Sequence, residues 1–185
     1  MRNNLTATTK GLIRIVSCLF VSMLALSCSS GKIQILPEPV MEQITFRSLP
    51  VCVNAWFCGA GDSGSLSVRG LLNNRSGEKT LFLEYYMSTF EESFPVGLSL
   101  KLDQTWHNLR KVSTEYGQNV RVVSLLPVDV YEKIQQAKEV QFSFTSREKT
   151  VTHPLSKSDL NSLQKYLSET KSSLDTYAKL NIANH

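Results

Sequence analysis

The sequence predicts an α+β domain: a mostly antiparallel sheet or small sandwich of about six to seven strands, a short helix and a C-terminal amphipathic helix. Three observations lead there. Short stretches alternate apolar and polar residues with the period of a strand, PVGLSLKLD being the cleanest. Turn-forming strings such as NNRSGEK separate them. Beyond Leu155 the apolar spacing changes to threes and fours, the period of a helix.

From Gln43, Ile44 and Phe46 alternate, then Leu49, Val51 and Val53 resume out of phase around Pro50. That predicts a strand interrupted by a bulge or lying at an edge, since proline cannot donate to a ladder. CGAGDSGS reads as a glycine-rich loop. Leu66, Val68 and Leu72 form the next alternating run. After NNRSGEK, Leu81, Leu83 and Tyr85 share one face, completing a β-hairpin. In PVGLSLKLD, Val96, Leu98, Leu100 and Leu102 point inward, with Ser99, Lys101 and Asp103 outward. WHNLRKVSTEYGQ fits a continuing strand or a loop, and NVRVVSLL is a further strand.

VDVYEKIQQAK is a short helix in which Asp129 caps and Glu132 reaches back, with Val130, Ile134 and Ala137 on one face. EVQFSFTS returns to strand, placing Val140, Phe142 and Phe144 on one side. REK turns it and TVTHPL runs back. In HPLSKSDL, Ser156 is an N-cap, Asp159 stands three residues on, and Leu155 and Leu160 are placed as a hydrophobic staple. Leu160, Leu163, Leu167, Leu174 and Tyr177 then make one stripe, which is expected to cover the apolar side of the sheet. SETKSS is the weaker half of that helix.

The first residues follow a different logic. Arg2, Lys10 and Arg14 precede IVSCLFVSMLAL, and no acidic residue intervenes. A basic stretch, a short apolar run and then small residues is the order of a secretory signal peptide. A spanning helix needs about 20 apolar residues, and this run is shorter. Ala25-Leu26-Ser27-Cys28 resembles the lipobox of bacterial lipoproteins, in which a small residue precedes the cysteine that becomes the acylated N-terminus. The resemblance covers the leader alone. The family usually has leucine three residues before the cysteine and a small residue two before, where Ala25 and Leu26 stand.

The resemblance implies that Cys28 carries the lipid, palmitate among its chains, and that membrane lipid is a partner through it. Two or more acyl chains make attachment effectively stable. Ser29 stands where such lipoproteins carry aspartate for inner-membrane retention, which points to the outer membrane and a domain facing the periplasm. The expected organisation is a signal peptide over 1–27, a lipidated N-terminus and tether over 28–42, one α+β domain over 43–170, and a helix end or flexible tail over 171–185.

Composition narrows the function. The formal charge of +4 falls to +1 once the three basic leader residues are set aside. With no basic stripe interleaved with aromatics, the charge balance offers no argument for nucleic acid. Of four cysteines, Cys18 leaves with the leader and Cys28 is the lipid site, so Cys52 and Cys58 remain as a disulfide pair in an exported protein. The pair encloses VNAWF. Trp56 and Phe57 are either an exposed candidate binding tip or part of the core.

The apparent catalytic motif is Gly61-Asp62-Ser63-Gly64. It is similar to the surroundings of the nucleophilic serine in trypsin-like proteases, and loosely to the Gly-Asp-Ser block of a lipase and esterase family. A serine nucleophile needs a base, and the base an orienting carboxylate. In the protease order the histidine precedes the serine, whereas His107, His153 and His185 all follow Ser63. The esterases want Asp-x-x-His near the C-terminus, but Asp103 to His107 is one residue too long and mid-chain. The histidines lack ligand-pair spacing, so no metal and no cofactor is expected. The sequence therefore reads as a non-enzymatic envelope lipoprotein that binds or helps assemble an envelope protein or component. The alternatives are an envelope serine hydrolase using Ser63, or an inhibitor or immunity protein.

Overall fold

The computed structural model describes residues 33–53, 58–88, 96–145 and 150–183. They form eleven strands in two antiparallel sheets and two α-helices, so the α+β expectation holds. The strands are β1 (Ile33–Glu38), β2 (Gln43–Ser48), β3 (Val51–Cys52), β4 (Ser65–Asn73), β5 (Lys79–Ser88) and β6 (Gly97–Leu102). They continue with β7 (Thr105–Leu109), β8 (Lys111–Tyr116), β9 (Asn119–Leu125), β10 (Val140–Thr145) and β11 (Thr150–Pro154). Helix α1 spans Val128–Gln136 and α2 spans Lys157–Ala183.

The larger sheet runs β1-β2-β4-β5-β9-β8, with β3 beside β4, and the smaller runs β11-β10-β6-β7. Arg110 joins β7 of one sheet to β8 of the other, and its carbonyl accepts the Leu125 N–H at 2.9 Å. Leu66, Val68, Leu83, Tyr85, Met87, Val120 and Val122 share a core with Leu98, Leu100, Phe142 and Phe144 of the smaller sheet. The Tyr85 ring lies 4.5 Å from that of Phe142 and 5.3 Å from that of Phe144.

The expected stripe of α2 is the stripe that buries. Leu160, Leu163 and Leu167 join the main core, while Leu174 and Ala178 pack with Phe46 and Leu72 in a second cluster. Helix α2 crosses β4 at Gly70, where an added Cβ would stand 2.8 Å from Thr170 Cγ2 and 2.9 Å from Leu174 Cδ1. The Ser156 hydroxyl accepts the Asp159 N–H at 3.1 Å, closing the predicted N-terminal cap.

Several expectations are corrected. The strands number eleven among the described residues, because β1, the separate β3, β7 and β8 add to the seven that alternate visibly. Residues 33–38 of the expected tether pair in register with β2. Pro37 is tolerated there because β1 is an edge strand. Val96 precedes β6 and is exposed. The Asp129 capping box does not form: Pro127, at φ −64°, holds the N-cap position and α1 starts at Val128. Asp129 instead lies in the first turn, where the helix dipole favours it, and pairs with Lys133 at 3.6 Å. The other end of α1 is closed from α2, whose Gln164 amide donates to the carbonyls of Ile134 and Ala137 at 2.9 and 3.1 Å.

Candidate functional site

Each site residue read from the sequence has a definite place or lies outside the described residues. Cys28, Trp56, Phe57 and His185 are outside them. Cys52 and Cys58 form a disulfide with Cα atoms 5.6 Å apart, fastening the end of β3 to the loop before β4. That loop is a hydrogen-bonded turn. The Asp62 carboxylate accepts the Gly59 N–H at 2.6 Å, Gly64 donates to the Tyr86 carbonyl at 2.7 Å, and Asn119 Nδ2 donates to the Gly61 carbonyl at 2.8 Å. Gly61 and Gly64, at φ 87° and 82°, occupy the left-handed region that glycine adopts without a Cβ clash.

Ser63 is exposed on this turn, and among the described residues no hydrogen bond joins it to a histidine. His107 pairs across with Leu100, and His153 with Phe142, so the imidazoles occupy opposite edges of the smaller sheet. Three strand spacings, about 14 Å, separate those edges. Among the described residues no group of His, Cys, Asp and Glu could hold a metal ion.

The chemistry that sequence reasoning missed lies on the outer face of the larger sheet. Glu84, at the centre of β5, is fully buried. Three guanidinium groups converge on it from three strands. Arg47 Nε of β2 stands 3.2 Å from Oε2, Arg69 Nε of β4 stands 3.1 Å from Oε1, and Arg121 Nη1 of β9 stands 3.5 Å from Oε1. Arg121 also pairs with Glu115 of β8. The sheet register makes this possible: Arg47 is paired with Arg69, Ser67 with Glu84, and Glu115 with Arg121.

A carboxylate withdrawn from water is tolerated only when paired. Glu84 is paired three times, and the partners stay partly wet, at 27%, 21% and 19% side-chain exposure for Arg47, Arg69 and Arg121. Desolvation by burial works against the charge on Arg121, but the hydrogen bond to Glu115 and the field of Glu84 outweigh it and raise its pKa. Arg69 also lies over the Phe82 ring, 4.7 Å from its centroid. The Glu38 carboxylate lies on the same face, accepting from the Thr45 hydroxyl at 2.8 Å two residues from Arg47, so three carboxylates balance the three guanidinium groups. The signal in the sequence was one charge in the middle of each apolar strand, as in ITFRS, SVRGLL, TLFLEYYM and NVRVV.

A cavity of about 510 Å³ lies at the start of β5, with Leu81, Leu126 and Val128 on its apolar side. Lys79, Lys171 and Asp175 form its polar side, where Asp175 accepts from Lys79 at 2.6 Å and from Lys171 at 3.1 Å. Both lysines therefore share one carboxylate. The Lys79 hydrogen bond, helped by Lys171, holds the Asp175 carboxyl below the usual carboxylate range.

Comparison with known proteins finds no family model, no curated protein and no solved structure that matches this chain.

Proposed function

We propose that this chain is a lipid-anchored module of the bacterial cell envelope, held in the outer membrane through acylated Cys28. It works without catalysis, binding or helping to assemble an envelope protein or component. The observation that carries the reading is the ordered leader: basic residues, a short apolar run, and Ala25-Leu26-Ser27-Cys28. The Cys52–Cys58 disulfide supports export to an oxidising compartment. Anchoring confines the domain to a surface and raises its effective concentration toward membrane-bound partners. The non-enzymatic part of the reading is supported by the turn that employs Asp62 as a backbone acceptor and by the distribution of the histidines along the two edges of the other sheet.

Growth with labelled palmitate tests the anchor. The label enters the wild type and not the Cys28→Ala variant, and the mature mass begins at Cys28. An unlabelled protein, or one retaining residues 1–27, refutes the reading. Crosslinking in intact envelopes, comparing the same two proteins, then identifies neighbours that depend on the anchor.

A further inference from the structure

The outer face of the smaller sheet is a polar surface that the core does not use. Leu98, Leu100, Phe142 and Phe144 take the inner phase of β6 and β10 and pack in the core. The alternate residues therefore leave the sheet on the other side. The register sets Pro154, Gln141, Lys101 and Trp106 side by side across β11, β10, β6 and β7. Thr152, Ser143, Ser99 and Asn108 form the next row along the strands. Each row crosses three strand spacings, about 14 Å, and successive rows lie about 7 Å apart.

The chemistry of this face is narrow. Lys101 is the one lysine, arginine or carboxylate residue in the four strands, and His107 and His153 take the inner phase. Hydroxyls and amides make up most of the rest. The Ser99 hydroxyl donates to Asn108 Oδ1 at 2.8 Å, which leaves the Asn108 amide N–H groups as donors. Thr152 Oγ1 donates to Ser143 Oγ at 3.1 Å, and Ser143 to the Val151 carbonyl at 3.0 Å, so the short side chains in the middle are tied down to the sheet. Among the described residues the Gln141 side-chain amide makes no hydrogen bond.

The two ends of the first row differ. Trp106 stands at one end and is 48% exposed. At the other, Gln141 and Pro154 also line a cavity of about 590 Å³ that continues to Asn161 and Gln164 of α2. An indole platform and a recess are thus joined by a level, hydrogen-bonding surface.

Each class of ligand asks for something different. Nucleic acid and anionic lipid need several cations, and these strands offer one. A protein partner docks on buried aromatic and aliphatic anchors, whereas Trp106 stands alone among hydroxyls and amides. A sugar ring matches what is present. Its hydroxyls both donate and accept, and its face of C–H bonds stacks on the electron-rich face of an indole.

We infer that the outer face of the smaller sheet binds an uncharged glycan chain. One sugar ring stacks on Trp106, Asn108 and Gln141 hold its hydroxyls and those of its neighbours, and the chain runs toward the recess at Pro154. The inference goes beyond the anchored reading and stands or falls independently of Cys28.

The test titrates the full chain, in a polyoxyethylene detergent that carries no sugar, with chitohexaose, cellohexaose and maltohexaose, and with dextran sulfate as the charged control. Calorimetry and tryptophan emission follow binding. At least one neutral hexasaccharide is expected to bind and to shift the emission to the blue, equally at low and high salt because no counterions are released. Trp106→Ala should abolish the shift and weaken binding about tenfold, and Gln141→Ala about threefold. Trp106→Phe keeps a ring face and should recover much of the loss. Both positions lie on the sheet surface, and thermal unfolding verifies that the variants fold.

Failure of all three neutral hexasaccharides to bind overturns the inference and leaves the anchor standing. Binding that survives Trp106→Ala unchanged places the glycan elsewhere and overturns it too. Binding of dextran sulfate alone, lost at high salt, reduces the face to an ionic contact at Lys101 and also overturns it. A protein without lipid at Cys28 that still binds a neutral hexasaccharide through Trp106 refutes the anchor and supports this inference.

Discussion

Replacing Gly70 by alanine tests the packing that joins α2 to the larger sheet. The added Cβ would meet Thr170 Cγ2 at 2.8 Å and Leu174 Cδ1 at 2.9 Å, closer than real Cβ atoms approach. Gly70 does not lie at positive φ, so alanine's own backbone preference is not the obstacle. Two effects then compete. Overpacking a close contact costs about 1–3 kcal/mol. Restricting the unfolded chain by a Gly→Ala change returns roughly 0.4–1 kcal/mol. Overpacking wins, and the variant is expected to be less stable by about 1–2 kcal/mol. For a domain of this size that lowers Tm by about 2–8 °C. Thermal and urea unfolding measure it, with the urea m-value unchanged. Thr170→Ser removes the nearest atom, so the double variant should recover part of the loss, with a coupling of about 0.5–1.5 kcal/mol. A Gly70→Ala protein as stable as the wild type, or strictly additive losses in the double variant, would refute the close crossing.

Two further outcomes follow from the charged groups. Glu84→Gln leaves three guanidinium groups around a neutral amide and should cost about 3–5 kcal/mol in urea unfolding, because the carboxylate they pair with is fully buried. Arg75→Ala, which breaks the exposed pair with Glu42, should change stability by less than about 1 kcal/mol, and a larger loss there than at Glu84 would contradict the burial argument. Asp175 has its pKa lowered by the Lys79 hydrogen bond, so its contribution is present above the usual carboxylate range and is lost as pH falls through its folded value. Asp175→Asn should therefore flatten the acid side of the stability–pH curve, and an unchanged slope would show that the pairs with Lys79 and Lys171 carry no weight.

The elements legible in the sequence are those whose cause is local. The alternation in β6 and β10, the β4–β5 hairpin, the Ser156–Asp159 cap and the leucine stripe of α2 each depend on residues within a few positions. Edge strands are only partly legible because they need not alternate. WHNLRKVSTEYGQ fits either a continuing strand or a loop because β7 and β8 are largely exposed, and β1, which carries Pro37, reads as tether.

By itself, then, the amino-acid order determined the fold class, the direction of the α2 stripe, the pairing of two cysteines and the expectation of a lipid at Cys28. Only the tertiary structure decided which strands lie side by side, and so which charges meet. Arg47, Arg69, Glu84 and Arg121 stand far apart along the chain and converge because the register of four strands aligns them on one face. The crossing at Gly70 and the closing of α1 by Gln164 have the same origin. Period and capping act over one or two turns of chain, whereas register is set by the whole buried face at once, through contacts that no short stretch contains.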